Sequence, residues 1–82
     1  MERPMMMAYV LVQTEMAMSA PVAARLSEID GVTAADEVTG PYDVIATVEA
    51  PDVVVLGRDV LAKVQAVEGI TRTITCPVVR LA

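Results

Sequence analysis

The sequence has no histidine, no tryptophan and no phenylalanine; its only aromatics are Tyr9 and Tyr42. It has one cysteine, Cys76, which excludes an intramolecular disulfide and with it a disulfide-stapled secreted scaffold. Structural zinc takes four Cys or His ligands, which one cysteine and no histidine cannot supply. Basic residues are few and scattered: Arg3, Arg25, Arg58, Lys63, Arg72 and Arg80. With a net charge of −5 and no basic stripe, direct nucleic-acid binding is disfavoured, because phosphate neutralisation drives that affinity. No glycine-rich phosphate loop occurs. The usual general base is missing, and no Ser or Cys has a base partner nearby in sequence. Asp36 and Glu37, the one adjacent acid pair, would point to opposite faces of a strand. The expectation is a protein that is not an enzyme and carries no cofactor and no metal.

Apolar residues are plentiful: 55% of an 82-residue chain. That length implies one domain, residues 1–82, with 1–6 as a loose N-terminal segment. So small a domain hides limited apolar surface, so self-association is the simplest resolution. The six methionines all lie within the first 18 residues; packing explains them more simply than a soft-metal site. Cys76, in an apolar run, reads as a small buried residue. Met5 to Val12 loosely mimics a signal peptide, but Gln13-Thr14-Glu15 interrupts it and it is too short to span a bilayer. It reads as a strand of a cytoplasmic protein with no membrane association.

Met7 to Thr14 is apolar and rich in strand formers, and its near-unbroken apolar character predicts burial on both faces. Ser19 is placed as an N-cap with Pro21 in the first helical turn. Val22, Ala23, Leu26 and Ile29 then form one helical face, and Gly31 ends the helix. A strand over Val32 to Thr39, a Thr39-Gly40-Pro41 turn and a strand over Tyr42 to Glu49 make a hairpin. Asp52 caps a second helix, with Val53, Leu56, Val60, Val64 and Val67 on its apolar face, and Gly69 ends it. The last strand spans Ile70 to Leu81, with Pro77 marking an edge or bulge. Ile29-Asp30-Gly31-Val32-Thr33 and Val67-Glu68-Gly69-Ile70-Thr71 echo each other at the two helix exits. The order is thus βαββαβ: an α+β, ferredoxin-like fold with both helices on one face of a four-stranded antiparallel sheet. The bare face is expected to meet a second copy.

Two readings of the central turn stand. It is a plain hairpin, with Gly40 and Pro41 for geometry and Asp43 bonded to backbone. Alternatively, it is a zwitterion site: exposed N–H groups for a carboxylate and Asp43 for an ammonium. Thr73 and Thr75, two apart on one strand face, would add hydroxyls; simple strand propensity also explains them.

The chain resembles the effector-binding domain of the Lrp/AsnC transcription regulators. Thr39, Gly40, Tyr42 and Asp43 match that family's turn motif; Gly69, Ile70, Thr73 and Thr75 match a second motif near its end. The resemblance covers residues 7 to 82. It implies a dimeric α+β barrel arrangement, with homodimers joined through their sheets and assembled into octamers or similar rings. It further implies a small effector, commonly an amino acid, held between dimers by Thr39, Gly40, Tyr42, Asp43, Thr73 and Thr75. Binding would alter assembly and so transcription regulation. The helix-turn-helix domain usual in that family does not precede the first strand here, so the chain resembles a stand-alone member, acting through a full-length Lrp/AsnC partner. The alternatives are a small dimeric α+β barrel enzyme of monooxygenase or isomerase type, and an interaction subunit without a ligand.

Overall fold

The computed structural model describes residues 5–79. β1 (Met6–Thr14) is followed by α1 (Ser19–Ser27), β2 (Val32–Glu37) and β3 (Val44–Ala50). A second helix, α2, runs over 53–65, and β4 (Ile70–Pro77) completes the order. The antiparallel sheet has strand order β2-β3-β1-β4. This is the ferredoxin-like βαββαβ fold that the periodicity predicts. Pro77 ends the edge strand β4, where its missing N–H costs no inner ladder bond.

The helices cover one sheet face. Ala8, Val10 and Val12 of β1 and Val44, Ala46, Val48 and Ala50 of β3 are buried there. Val22, Ala23 and Leu26 of α1 and Leu56, Val60 and Val64 of α2 close over them. Val53, placed on that core face by spacing, is instead 64% exposed. The α2 residues that do pack are four apart, whereas an α-helix turns every 3.6 residues. The middle of α2, Leu56–Leu61, is π-helical between an α-helical first turn (Val53–Val55) and last turn (Ala62–Gln65). That wider turn keeps Leu56, Val60 and Val64 on one line. Asp52 caps the helix as expected, accepting the Val55 N–H at 2.9 Å. Ser19 does not cap α1: the helix begins at Ser19 itself, and its hydroxyl donates to Glu37 Oε1 at 3.0 Å.

The two halves are related by a pseudo-two-fold. Gly31 and Gly69 both have φ +100°, a conformation that L side chains rarely adopt. Each packs on the other half's helix: a methyl at Gly31 would meet Val60 Cγ2 at 2.6 Å, and one at Gly69 would meet Val22 Cγ2 at 3.1 Å. Each carbonyl accepts a backbone N–H at the far end of an inner strand, Glu49 of β3 to Gly31 and Glu15, the residue after β1, to Gly69, both at 2.8 Å. The echoed sequence at the helix exits is the trace of this symmetry.

The other sheet face is bare in the single chain. Tyr9, paired with Cys76, is 44% exposed, and Cys76 is exposed. Burial of β1 on both faces and of Cys76 therefore does not hold within one chain, because the fold supplies helices for one face only. Three of the strands are also shorter than expected. β2 stops at Glu37 and β3 starts at Val44, since residues 38–43 are taken up by the hairpin connection; β4 stops at Pro77. The expected continuation to Leu81 takes in residues 80 and 81, outside the described part. The loose segment 1–6 falls partly outside it too; Met6 already belongs to β1.

Candidate functional site

The connection between β2 and β3 is pinned to the end of β1. Asp43 N–H donates to the Val12 carbonyl at 2.9 Å, and the Asp43 carbonyl accepts the Val38 N–H at 2.9 Å. Asp43 Oδ2 accepts the Thr14 backbone N–H at 2.8 Å and the Thr14 hydroxyl at 3.4 Å. Because β3 begins only at Val44, this carboxylate replaces the strand carbonyl that would otherwise serve Thr14. Gln13 Nε2 donates to the Pro41 carbonyl at 3.0 Å. Gln13 and Thr14 thus belong to the site's framework, a role that sequence motifs did not reveal. The β1–β3 register, with Val12 opposite Val44, is the signal that places them beside the turn.

Thr39, Gly40 and Pro41 are exposed, and Tyr42 and Asp43 are half-buried. Gly40 has φ +149° and no atom within 4 Å of where a side chain would start. Among the described residues, the backbone N–H groups of Thr39, Gly40 and Tyr42 meet no acceptor, and Asp43 Oδ1 accepts no hydrogen bond. The turn therefore presents free donors beside a carboxylate oxygen with spare capacity. That is complementary to a group carrying both a carboxylate and an ammonium.

Thr73 and Thr75 are half-buried on β4, opposite Val12 and Val10 of β1. They therefore share the helix-covered side of the sheet. Among the described residues their hydroxyls have no hydrogen-bond partner. Thr73 lines a small cleft of about 210 Å³ with Gln65, Ile70, Thr71 and Arg72. β1 lies between β4 and the turn, a separation of roughly 9–10 Å across two strand spacings. Within one chain the fold gathers Thr39, Gly40, Tyr42 and Asp43 together but leaves Thr73 and Thr75 apart from them.

A four-stranded antiparallel sheet with helices on one side, a bare face on the other and a donor-rich turn at its end defines a small α+β domain. The comparisons make this specific. Residues 7–81 match the Lrp/AsnC ligand-binding domain, and the chain belongs to that family. The crystal structure of TTHA0845 from Thermus thermophilus is 30% identical, with a TM-score of 0.84 over 94% of this chain and 96% of that one. That of a hypothetical protein, PHS023, from Pyrococcus horikoshii is 25% identical, with a TM-score of 0.83 over 93% and 92%. The transcriptional regulator NMB0573 of Neisseria meningitidis, solved as a complex with L-Met, shares the fold at 18% identity and a TM-score of 0.76. That match covers 92% of this chain and 50% of the regulator. No curated protein matches the chain significantly in sequence.

Proposed function

We propose that this ligand-binding domain senses a free amino acid through the Thr39–Asp43 turn, and that binding changes how copies of the chain assemble. The observation that carries the reading is the turn's set of unpaired N–H groups beside Asp43 Oδ1. An amino-acid carboxylate would take the donors, and its ammonium would take Asp43. The family's description as a ligand-binding domain supports the reading, and so does L-Met as the ligand of one regulator of the same fold.

Assembly enters because Thr73 and Thr75 are apart from the turn in one chain. Both sets of residues line one site only if a neighbouring copy brings its own β4 to the turn. Homodimers would form through the bare sheet face, where Tyr9, Leu11, Ile45, Ile74 and Cys76 offer apolar surface. Dimers would then meet in an octamer or similar ring, with the effector between them. The domain would act in the cytoplasm on transcription through a full-length Lrp/AsnC regulator, with no catalytic step of its own.

A thermal-shift screen of the twenty amino acids tests this. A ligand at one hundred times its Kd adds about 2.7 kcal/mol of stability. At least one amino acid is expected to raise Tm at millimolar concentration; no shift with any of them counts against the proposal. One observation favours the alternative of an interaction subunit without a ligand: Asp43 Oδ2 is already engaged by Thr14. Under that alternative the same screen stays flat while the oligomer persists.

A further inference from the structure

The sheet has two open edges, β2 and β4, and an unpaired strand edge is a template for another strand. Bonds at the strand ends fix the backbone phase of each. Val78 N–H donates to the Met7 carbonyl at 2.9 Å. Along β4 the residues that bond β1 are therefore Arg72, Ile74 and Cys76, and the backbone groups of Thr73 and Thr75 point outward. Val38 N–H donates to the Asp43 carbonyl at 2.9 Å. Along β2, Asp36 therefore bonds β3, and the backbone groups of Ala35 and Glu37 point outward. Among the described residues, no further backbone bond engages these four.

The edge strands are mates under the pseudo-two-fold. Ala34 corresponds to Arg72, Asp36 to Ile74 and Glu37 to Thr75, at the spacing of Gly31 and Gly69. Their chemistry has diverged. β2 carries two acids and no cation, whereas β4 carries one cation and no acid. Asp36, Glu37 and Arg72 are all exposed. Among the described residues the one ion pair is Arg58 with Asp59, so no carboxylate lies within 4.0 Å of the Arg72 guanidinium.

We propose that β2 of one copy pairs with β4 of a second, extending the antiparallel sheet. β2 runs parallel to β1 and β4 runs against it, so a second copy in the same orientation brings its β4 antiparallel to β2. One register engages all four outward residues: Glu37 opposite Thr73 of the next copy, and Ala35 opposite its Thr75. On the helix side, Glu37 then meets the Thr73 hydroxyl, which has no partner in its own chain among the described residues. On the bare side, Arg72 of the next copy lies diagonal to Asp36, a separation of about 7–8 Å that long side chains bridge. Pro77, which has no N–H to offer, falls opposite the bulge at Thr33. Like edges fit less well: β2 on β2 sets acid beside acid, and β4 on β4 gives Arg72 no acid. Each copy has one edge of each kind, so the contact is head-to-tail and closes as a ring where the rotation allows. The pairing stands on the edges alone and does not need the amino-acid reading of the turn. It sets the next copy's Thr73 opposite Glu37, two residues before Thr39.

The test uses the natural cysteine. In this register Ala34 faces Cys76 of the next copy as a non-hydrogen-bonded pair, with Cα atoms about 4.5 Å apart, within disulfide range. Both residues are exposed. Within one chain they lie on the two outer strands, three strand spacings or roughly 14 Å apart, too far to bridge. Mild oxidation of the full Ala34→Cys chain is expected to give disulfide-linked multimers on a non-reducing gel. Peptide mapping is expected to find mainly bonds between positions 34 and 76. Links of 34 to 34 or of 76 to 76 as the main product overturn the inference, and so does the absence of cross-linking. Arg72→Glu is expected to weaken assembly about tenfold or more in sedimentation velocity, because it sets like charges together. Adding Asp36→Lys is expected to restore it. Unchanged assembly in Arg72→Glu, or no recovery in the double variant, overturns the charge pairing.

Discussion

Asp43 is both an anchor and a proposed ligand group, and two substitutions separate these roles. Asp43→Ala removes the acceptor of the Thr14 N–H at 2.8 Å and of its hydroxyl at 3.4 Å. A hydrogen bond to a charged acceptor contributes about 1.5–3 kcal/mol. Both residues are only half-buried, so water takes over part of the bond and the lower end applies. We expect a loss of about 1–2 kcal/mol, or roughly 4–16 °C in Tm for a domain of this size. Asp43→Asn keeps an amide oxygen for Thr14 but removes the negative charge. It should cost under about 1 kcal/mol while weakening amino-acid binding about tenfold or more, since a charge-assisted contact becomes a neutral one. Urea unfolding at one fixed protein concentration, paired with calorimetric titration of whichever amino acid stabilises the wild type, measures both. Fixed concentration matters because an oligomer's apparent stability depends on it. Wild-type stability in Asp43→Ala would refute the anchoring role. Undiminished affinity in Asp43→Asn would refute the ammonium contact.

Gly31→Ala and Gly69→Ala carry the same φ penalty of roughly 1–2 kcal/mol, but the added methyl of the first meets the stiff Val60 side chain and that of the second mainly the mobile Met18 tip. Gly31→Ala should therefore be the more destabilising in thermal unfolding, and equal losses would contradict the packing described. Gly57→Ala meets nothing within 4 Å and should raise stability by about 0.4–1 kcal/mol, read from the denaturant midpoint. Leu26→Ala empties a fully buried core position and should cost about 2–5 kcal/mol in the same assay. The Arg58 hydrogen bond holds the Asp59 carboxyl below the usual carboxylate range. Any stabilisation from it is present above that range and lost as pH falls through the lowered value. Both side chains are solvent-exposed, so Asp59→Asn should leave the acid limb of the stability–pH curve unchanged within error.

The fold was legible because both period signals were strong and the two helix exits repeat. In β3, Val44, Ala46 and Val48 alternate with Ile45, Thr47 and Glu49, and the structure buries the first three fully under the helices. Strand ends were less legible because they depend on partners far along the chain. Asp43 leaves β3 to bond Thr14, which lies 29 residues away. Cys76 was misplaced because an apolar run does not say which faces are covered. In β4 the threonines sit on the helix side, while Ile74 and Cys76 look to the bare face. That inverted alternation fits the proposed pairing of copies through the bare face. The turn was legible as a local motif. The distance of Thr73 and Thr75 from it was not, because it follows from strand order, which places β1 between them.

The central claim is that an amino acid binds at Thr39–Asp43. Amide chemical-shift mapping with the amino acid that most stabilises the protein tests it most directly. Saturable shifts concentrated at Thr39, Gly40, Tyr42 and Asp43, lost in Asp43→Asn, are predicted. Saturable binding that leaves these amides unmoved would contradict it.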